Sequence, residues 1–433
     1  MKVAFHTLGC KVNQYETEAL KEKFSEKGYF VVDEKDFADI YVINTCTVTN
    51  LADRKSRQYI RKMKKINPAS IVAVTGCYAQ VNPDEVAAIE GVNLVAGTNE
   101  KARMVEYIEE YILMDSKFTD RHIKAYEDLT EYEETGIITS MDSKTRALIK
   151  IQEGCNRFCS YCIIPYARGP VRSRDICEIV EEANALIKKG FKEIVLTGIN
   201  TALYGLDQEG ENTGVEQIIK ELNNLEGDFR IRLSSLEPTV VNKEYVQRLL
   251  KYDKLCHHLH LSIQSGSNEI LQAMNRKYTR EDYLEIVDLL KNFDKSYGIT
   301  TDIIVGFPGE TEENFQDSLK LVRETGFCKV HVFKYSKREG TAAAGMKSHI
   351  LPEIKNRRAA ELIAESEKSA TEFFKGCLGE SRIVLTENIE KGMLTGYADN
   401  YVKTYIDSNN KELLNKFIKV KIVEQYIDGV KGE

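Results

Sequence analysis

The sequence predicts an α/β protein in three parts: a parallel sheet, a partial barrel of six β–α units, and a small all-β barrel. Three observations support this order. Apolar runs alternate with amphipathic stretches over residues 2–112, and a β-then-α rhythm repeats six times between Arg146 and Lys337. After Gly376, short β-prone runs are separated by turn residues. With 433 residues and 42% hydrophobic content, each part can bury a core of its own.

The first part, residues 1–113, reads as a parallel sheet covered on both faces, with strand candidates VAFHTLG, ADIYVINT, SIVAVTG and VNLVAG. Cys10, Cys46 and Cys77 each follow one of these runs. In a flavodoxin-like strand order, the first, third and fourth strands are neighbours about 4.8 Å apart. A lone free cysteine is usually a small buried hydrophobe. Three that follow neighbouring strands are expected to meet at one rim as metal ligands.

Residues 114–143 are acidic and weakly periodic, which predicts a connector. The second part, residues 144–370, has the strand candidates ALIKIQE, EIVLTG, FRIRLSS, LHLSIQ, TTDIIVG and KVHVFKY. A partial barrel places its active site at the carboxyl ends of its strands. Polar and glycine-rich stretches follow these strands, so we expect the working face at this rim.

The last part, residues 374–433, follows a polar helix predicted from Pro352 to Lys375. Its runs RIVLTE, GMLTGYAD, YVKTYI and KFIKVKIVEQY predict a small barrel that resembles an OB-type nucleic-acid module. Its charge is close to balanced, which weakens that interpretation.

The composition excludes several classes of protein. A net charge of −7 gives no overall signature of a nucleic-acid binder, so any RNA contact must come from local patches. No apolar run of about 18 residues is present, and the first residues do not resemble a signal peptide. We therefore expect a cytoplasmic protein without a membrane partner. In that reducing compartment, ten cysteines are better explained as ligands and core residues than as disulfides.

Cys155, Cys159 and Cys162 form the most specific motif, within CNRFCSYC after the first strand of the second part. Three thiolates can hold a four-iron cube and leave one iron open. Structural zinc is the alternative, but it needs four ligands, and no fourth cysteine or histidine is near in sequence. Cys177, on the next predicted helix, is expected to face an apolar stripe.

The CxxxCxxC spacing of these three cysteines resembles the radical S-adenosylmethionine superfamily. The resemblance implies a [4Fe–4S] cluster whose open iron chelates S-adenosylmethionine. It also implies one-electron cleavage to a 5′-deoxyadenosyl radical that abstracts hydrogen. Further residues fit a cofactor-binding role with less specificity: Tyr161, Gly198, Asn200, Gln264, Ser265 and Gly306. Barrel packing and ordinary turn chemistry explain several of these equally well.

With its two cysteine triads and its final barrel, which looks like a TRAM domain, the chain resembles the methylthiotransferases over nearly its whole length. The resemblance implies a transferase that inserts sulfur and then methyl into an unactivated C–H bond. A second [4Fe–4S] cluster on Cys10, Cys46 and Cys77 would provide the sulfur, and two S-adenosylmethionine molecules would be used per turnover. It also implies an electron donor such as flavodoxin or ferredoxin.

The loop TLGCKVNQYET looks like the branch that acts on threonylcarbamoyladenosine of tRNA. The expected reaction is 2-methylthiolation at position 37, beside the anticodon. The same chemistry on isopentenyladenosine tRNA or on a ribosomal-protein aspartate is an alternative. A non-enzymatic iron–sulfur RNA-binding protein or redox sensor is an alternative from a different class.

Local basic residues are the candidates for contact with the anticodon stem–loop. Arg54 and Arg57 lie in a basic run on a predicted helix, although such a run is more often a solvated face. Arg168, Arg172 and Arg174 follow the CxxxCxxC loop and are expected to flank the active mouth. His257, His258 and His260 are expected to be core or rim histidines and not metal ligands.

Overall fold

A computed structural model describes residues 1–115, 118–139, 141, 145–208, 214–238 and 241–433. In this part of the chain, parallel sheets with flanking helices are followed by a β-rich C-terminal region, which confirms the predicted α/β class. None of the helices in the described ranges is both long and apolar enough to cross a membrane.

The N-terminal region is a six-stranded parallel sheet in the order β2-β1-β3-β4-β5-β6. Its elements are β1 (Lys2–Thr7), α1 (Lys11–Glu26), β2 (Phe30–Val32), β3 (Ile40–Thr45), α2 (Asn50–Ile66), β4 (Ile71–Gly76), α3 (Cys77–Val81), α4 (Pro83–Ala87), β5 (Leu94–Ala96), α5 (Met104–Leu113) and β6 (Asp120–His122). The apolar runs form the central strands because helices cover both faces of the sheet, and every residue of β3 is buried.

The three strands that precede the first cysteine triad are neighbours in register. Thr7 of β1 pairs with Asn44 of β3, and Thr45 of β3 pairs with Gly76 of β4. The carboxyl ends of these strands therefore lie at the same edge of the sheet.

The predicted connector differs from the structure, because residues within 114–143 complete the first region. Asp120–His122 forms β6 at the edge of the sheet, beside β5. Ile138 is buried with Tyr15 and Ala19 of α1. The segment is acidic and lacks a periodic apolar pattern, so neither contact is visible in the sequence. Residues 116, 117, 140 and 142–144 lie outside the described part.

The central region contains six successive parallel strand positions. Its elements are β7 (Arg146–Glu153), α6 (Ile164–Arg168), β8 (Arg172–Ser173), α7 (Ile176–Lys188), β9 (Glu193–Gly198), α8 (Val215–Asn223), β10 (Arg230–Leu233), β11 (Ser235–Leu236), α9 (Lys243–Leu249), β12 (His258–Leu261), α10 (Asn268–Ala273), α11 (Arg280–Phe293), β13 (Gly298–Val305), α12 (Glu312–Thr325), β14 (Lys329–Lys334) and α13 (Pro352–Gly376). All six predicted segments form strands, the third as the interrupted pair β10 and β11.

These strands form two sheets, β10-β9-β7-β8 and β11-β12-β13-β14, connected by a parallel bridge between Ile231 and Leu255. Alternate residues face opposite sides. Ile149 and Ile151 of β7 pack with Ile179 and Leu186 of α7 in the outer core. The residues between them face the inside of the curved sheet, which is predominantly polar and is called the lumen below.

The C-terminal region is a closed five-stranded barrel in the order β15-β16-β17-β19-β18. Its strands are β15 (Ser381–Glu390), β16 (Met393–Ala398), β17 (Lys403–Ile406), β18 (Phe417–Tyr426) and β19 (Gly429–Gly432). The strand β19 was not predicted, because it has only four residues and two are glycine.

A loop of this barrel covers the amino ends of the central strands. Arg232 of β10 donates hydrogen bonds to the carbonyls of Asp399 (3.1 Å) and Ala398 (3.3 Å). Gly298 of β13 lies so close to the Asn400 carbonyl that a Cβ atom would collide with it. The loop thus closes one end of the lumen, opposite the rim where the cysteine motifs lie.

Candidate active site at two cysteine triads

The three N-terminal cysteines occupy the aligned strand ends. Cys10 caps the start of α1, Cys46 directly follows β3, and Cys77 is the first residue of α3 directly after β4. Gly9 has a φ of +106°, and a Cβ atom there would lie 2.8 Å from the Cβ of Cys46. Glycine is therefore required for the first cysteine loop to approach the second.

The thiols of this triad act on one another electrostatically. Burial raises the pKa of Cys46 to about 12, with further contributions from Cys77 and Cys10. Burial also raises the pKa of Cys10, which Arg168 lowers and Cys77 raises. The side chain of Cys10 is nevertheless open to solvent, so it lies in a recess of the surface. Without metal these two thiols are neutral at pH 7, and iron binding would displace their protons.

The second triad lies in the loop between β7 and α6. The N–H of Cys155 donates to the Gly169 carbonyl (3.0 Å), and the N–H of Cys162 donates to the Cys159 carbonyl (2.9 Å). Gly154 has a φ of +72° and touches the Pro170 carbonyl so closely that no Cβ atom fits. The loop is thereby folded back on the residues that follow α6.

Burial raises the pKa of Cys155 to about 11 and that of Cys162 to about 12, with Cys159 adding to both. Each sulfur is therefore within electrostatic reach of another.

Each donor set consists of three free cysteines, which is the ligand type and number that a four-iron cube with one open iron uses. No group of three or more His, Cys, Asp or Glu side chains in the described residues is placed to hold one metal ion. In a cube each cysteine binds a different iron, so the sulfur atoms stand farther apart. Of the other four cysteines, Cys256, Cys328 and Cys377 are buried and Cys177 is exposed. The prediction that Cys177 faces an apolar stripe is wrong.

Arg168 connects the two triads. It lies six residues after Cys162, and its Nε donates to the Sγ of Cys77 at 3.3 Å. Its two terminal nitrogens donate to Glu153 (2.6 Å), to Asn13 (2.6 Å) and to both oxygens of Glu16. A fully buried guanidinium thus joins α1, β7 and the start of α3.

The carboxylate of Glu16 is the centre of this buried network. Burial alone would raise its pKa, but the charges of Arg168, Lys101 and Lys150 hold it below its usual range. Lys101 contacts Glu16 directly, and Lys150 lies 3.4 Å from it. Buried ion pairs therefore hold the first triad against the central region.

The predicted RNA contacts of Arg168, Arg172 and Arg174 are wrong. All three side chains are buried. Arg172 donates to the carbonyls of Leu129 and Pro170. The guanidinium of Arg174 pairs with the carboxylate of Glu182. Guanidiniums that are already paired inside the protein cannot reach phosphates. A sequence shows the positive charges but not the carboxylates of α1, β7 and α7 that neutralise them.

Arg54 and Arg57 lie on α2, where Arg54 is exposed. Arg57 donates to the Tyr78 hydroxyl and to Glu85, both at 2.9 Å. Arg54 is therefore free to meet an anionic partner, whereas Arg57 would first have to leave Glu85. Contact of either residue with RNA stays a prediction.

The candidate cofactor residues lie at the carboxyl ends of the central strands. Gly198 ends β9, and the Asn200 side-chain amide donates to Glu237 (2.7 Å). Gln264 has a φ of +72°, a strained conformation for this residue type. Ser265 is buried directly beside it. Their roles toward S-adenosylmethionine stay predictions.

Gly306 follows β13 and is explained without a cofactor. Its N–H donates to the buried carboxylate of Glu310 (2.7 Å), which pairs with Arg358. With a φ of +71° and the Lys355 side chain against it, no larger residue fits. Its backbone N–H is therefore already used within the protein.

Two residues that support the second triad were not recognised in the sequence. Arg276 donates to the Tyr161 hydroxyl (2.7 Å) and pairs with Glu237 (3.0 Å). Arg157, between the first two cysteines of the motif, also pairs with Glu237 (3.1 Å). The position of Glu237 after β11 was a signal for a polar group at the rim, but its partners come from distant loops.

A cavity of about 200 Å³ lies between the loops of the two triads. Val48 and Thr49, which follow Cys46, line one side, and Tyr161 and Cys162 line another. Gln264 also contributes to its wall. The arrangement brings both cysteine loops to one space large enough for a small planar group.

The histidines of β12 form hydrogen bonds within the central region. His258 and His260 both contact the Thr300 hydroxyl, at 3.0 and 2.9 Å, which shows that they share a face. His257 contacts Asp294 (2.7 Å) instead. This agrees with the prediction of core and rim histidines.

Comparison with protein families gives two matches. Residues 149–322 match the radical SAM superfamily, and residues 2–97 match the uncharacterized protein family UPF0004. The first match contains the second cysteine triad, and the second match contains the first.

Comparison with individual proteins covers nearly the full chain. A threonylcarbamoyladenosine tRNA methylthiotransferase of Bacillus subtilis is 44% identical over 428 residues, covering 98% of this chain and 94% of that protein. A tRNA-2-methylthio-N(6)-dimethylallyladenosine synthase of Alkaliphilus oremlandii is 36% identical, covering 100% and 92%. Among solved structures, the radical S-adenosylmethionine methyltransferase TsrM of Kitasatospora setae matches with a TM-score of 0.59, covering 91% of this chain and 80% of that one. At 14% identity, this last likeness concerns the fold alone.

Proposed function

Since this chain belongs to the radical S-adenosylmethionine methylthiotransferase family, we propose that it converts N6-threonylcarbamoyladenosine of tRNA to the 2-methylthio derivative. The observation that carries the proposal is the bridge from one triad to the other, in which Arg168 follows the second cysteine loop and contacts the sulfur of Cys77. Two metal loops joined in this way can serve one substrate. The higher identity to the threonylcarbamoyladenosine enzyme, 44% against 36%, favours this nucleoside over dimethylallyladenosine.

The cofactors are two [4Fe–4S] clusters and S-adenosylmethionine. We propose that Cys155, Cys159 and Cys162 hold one cluster and that Cys10, Cys46 and Cys77 hold the other. When bound, the clusters and S-adenosylmethionine would supply two things: a radical, formed by one-electron cleavage of the sulfonium, and a source of sulfur. The radical is needed because the C–H bond to be replaced is unactivated.

The protein's own contribution is to position the two cysteine loops and to exclude water from the space between them. Glu237 orients the second cysteine loop by accepting hydrogen bonds from Arg157 and Asn200 and pairing with Arg276. Arg276 in turn holds the Tyr161 hydroxyl, so the tyrosine ring stands against the cavity. Arg168 fixes Cys77 in the same way on the other side. Buried side chains that are locked by such contacts preserve the geometry between the two loops.

The finer assignments belong to the same proposal. The domain limits are 1–113, 114–143, 144–370 and 374–433, with β6 completing the first region across the connector. The N-terminal sheet is of the flavodoxin type, and the C-terminal barrel is a TRAM module of OB type that holds RNA. The target is position 37 of the anticodon stem–loop, the reductant is a flavodoxin or ferredoxin, and the compartment is the cytoplasm.

A comparison of tRNA from cells with and without the protein tests the substrate. Mass spectrometry should find the 2-methylthio derivative of threonylcarbamoyladenosine only where the protein is present. Unchanged levels of this nucleoside would refute the proposed substrate. A loss of methylthiolated isopentenyladenosine would identify the alternative branch instead.

The division of labour between the triads is tested with Cys46→Ala in anaerobically reconstituted protein. The variant should form no methylthiolated product, whereas reduced protein should still release 5′-deoxyadenosine from S-adenosylmethionine. About eight irons per wild-type chain and about four in the variant fit two cubes. Failure of the wild-type protein to form 5′-deoxyadenosine would favour a non-enzymatic iron–sulfur protein.

A further inference from the structure

Lys11 follows the first cysteine directly and begins α1. Its side chain is exposed, and no described residue forms a hydrogen bond or an ion pair with it. Behind it, α1 packs against the inner face of β7, where Leu148 contacts the cluster of Tyr15 and Ala19, and Lys150 reaches Glu16. The start of α1 therefore lies at the lumen.

The charges around Lys11 belong to three different central strands. Burial, followed by the charges of Arg232 of β10 and Arg146 of β7, lowers the pKa of its ammonium group, and Glu193 of β9 opposes them. Each of the three alternates with residues of the outer core, so each faces the lumen. An ammonium that is open to solvent and close to three lumen side chains stands in a recess of the protein.

The histidines on the other side of the lumen are also affected by the charge of Lys11. Burial, followed by the charges of Arg232, His260 and Lys11, lowers the pKa of His258 well below its usual value. Lys11 also contributes to the lowered pKa of His331, after burial and other neighbours. Because Leu259, Leu261 and Val330 belong to the outer core, His258 and His331 face the lumen from β12 and β14.

Positive charge is in excess at this place. The carboxylate of Glu193 is shared by Arg230 (2.6 Å) and Arg232 (2.7 Å), and Arg146 pairs with Glu387 (2.6 Å). The carboxylate of Asp302 on β13 faces the same lumen and contacts His260 (3.1 Å). With these carboxylates engaged, Lys11 is the cation that remains available. A recess that contains an ammonium without a described partner attracts an anion.

We propose that Lys11 binds the carboxylate of the threonyl group and thereby selects a nucleoside whose N6 substituent ends in an anion. This inference rests on the proposed function. The position directly after Cys10 puts the ammonium beside the loop where the base is modified, so one substrate can reach both. A neutral N6 substituent would remove water from the ammonium of Lys11 without forming an ion pair with it, so it would bind more weakly.

The test uses anticodon stem–loop RNAs of one sequence that differ only at the N6 substituent. One carries threonylcarbamoyladenosine, and the other carries its methyl ester, which has no charge on the carboxyl group. For the wild-type protein we expect kcat/KM to fall about 10-fold or more with the ester. For Lys11→Gln we expect low activity with the acid and an acid-to-ester ratio near one.

Both RNAs are assayed with a single preparation of each variant. A lower cluster content in Lys11→Gln would reduce both rates equally and would leave the acid-to-ester ratio unchanged. Lys11→Arg should keep a ratio well above one, because the charge is preserved. Lys27→Gln, the same substitution in an exposed lysine at the other end of α1, is the matched control and should behave as wild type. Anisotropy binding of the two labelled RNAs should show the same pattern without turnover.

Two outcomes would overturn the inference while leaving the proposed function intact. One is a wild-type protein that methylthiolates acid and ester equally well. The other is a Lys11→Gln protein that keeps the wild-type ratio but needs more S-adenosylmethionine, which would place the methionine carboxylate at Lys11. If the wild-type protein modifies neither RNA, the proposed function itself fails.

Discussion

Removing Arg168 should both destabilise the protein and empty the first metal site. In Arg168→Met the carboxylates of Glu16 and Glu153 lose their guanidinium while remaining buried. Breaking a buried ion pair by removing one partner costs about 3–5 kcal/mol. Lys101 and Lys150 still contact Glu16, and Lys150 lies 3.3 Å from Glu153, so the lower end of that range is expected. We therefore expect the free energy of unfolding to fall by about 3 kcal/mol.

Urea unfolding of the metal-free protein measures this difference. The chain contains no tryptophan, so far-UV circular dichroism is the appropriate signal. Arg103→Met is the matched control, since Arg103 forms an exposed pair with Glu106 (2.8 Å). Such surface pairs contribute about 0–1 kcal/mol. The iron content of reconstituted Arg168→Met should fall from about eight toward about four, because Cys77 loses its positioning contact.

The result that would refute this reasoning is an Arg168→Met protein with wild-type stability and full iron content. That outcome would mean that the buried carboxylates are satisfied without the arginine. A loss of stability with full iron content would instead separate the structural role of Arg168 from its effect on Cys77. Arg168→Lys, which keeps one positive charge, should fall between wild type and Arg168→Met in both measurements.

Three further predictions concern other parts of the molecule. Gly154→Ala should abolish 5′-deoxyadenosine formation, because a Cβ atom collides with the Pro170 carbonyl, whereas Gly376→Ala, with open space around it, should keep wild-type activity. Burial raises the pKa of Glu133 to about 7, so its ionisation costs folded-state stability as pH rises from about 4.5 through 7. Glu133→Gln should therefore be more stable than wild type at pH 8, by up to about 3 kcal/mol, but not at pH 4; a parallel pH profile of the two unfolding energies would contradict this. Arg54→Glu should weaken binding of tRNA and reduce its salt dependence, and an unchanged binding isotherm would mean that this face of α2 is only solvated.

Periodicity was sufficient to predict the strands and helices that carry the cysteines. The apolar runs before Cys10, Cys46 and Cys77 form neighbouring parallel strands, and all six segments of the central region form strands. These elements have strong patterns because both faces of a parallel sheet are buried. The strand β6 in the acidic connector has no such pattern, and only the tertiary contact with β5 creates it.

Pairing of charges could not be predicted. A sequence shows that Arg168, Arg172 and Arg174 are basic and close to a metal motif, which is also how an RNA-binding surface would look. Their carboxylate partners come from α1, β7 and α7, and the contact between Arg168 and Glu16 spans 152 positions. Only the fold brings such groups together and converts an apparent binding patch into an internal support.

The loop that joins β16 to β17 has a consequence for how this chain can be divided. The carbonyls of Tyr397 and Ala398 at the end of β16, and that of Asp399 in the loop, accept hydrogen bonds from two guanidiniums near the floor of the lumen, those of Arg230 and Arg232. A chain ending at α13 would remove these carbonyls, leave Glu193 as the acceptor for both guanidiniums, and open the floor to water. The last fifty residues thus complete the central region as well as forming a barrel of their own. We therefore expect that neither part can be moved into another protein without the other.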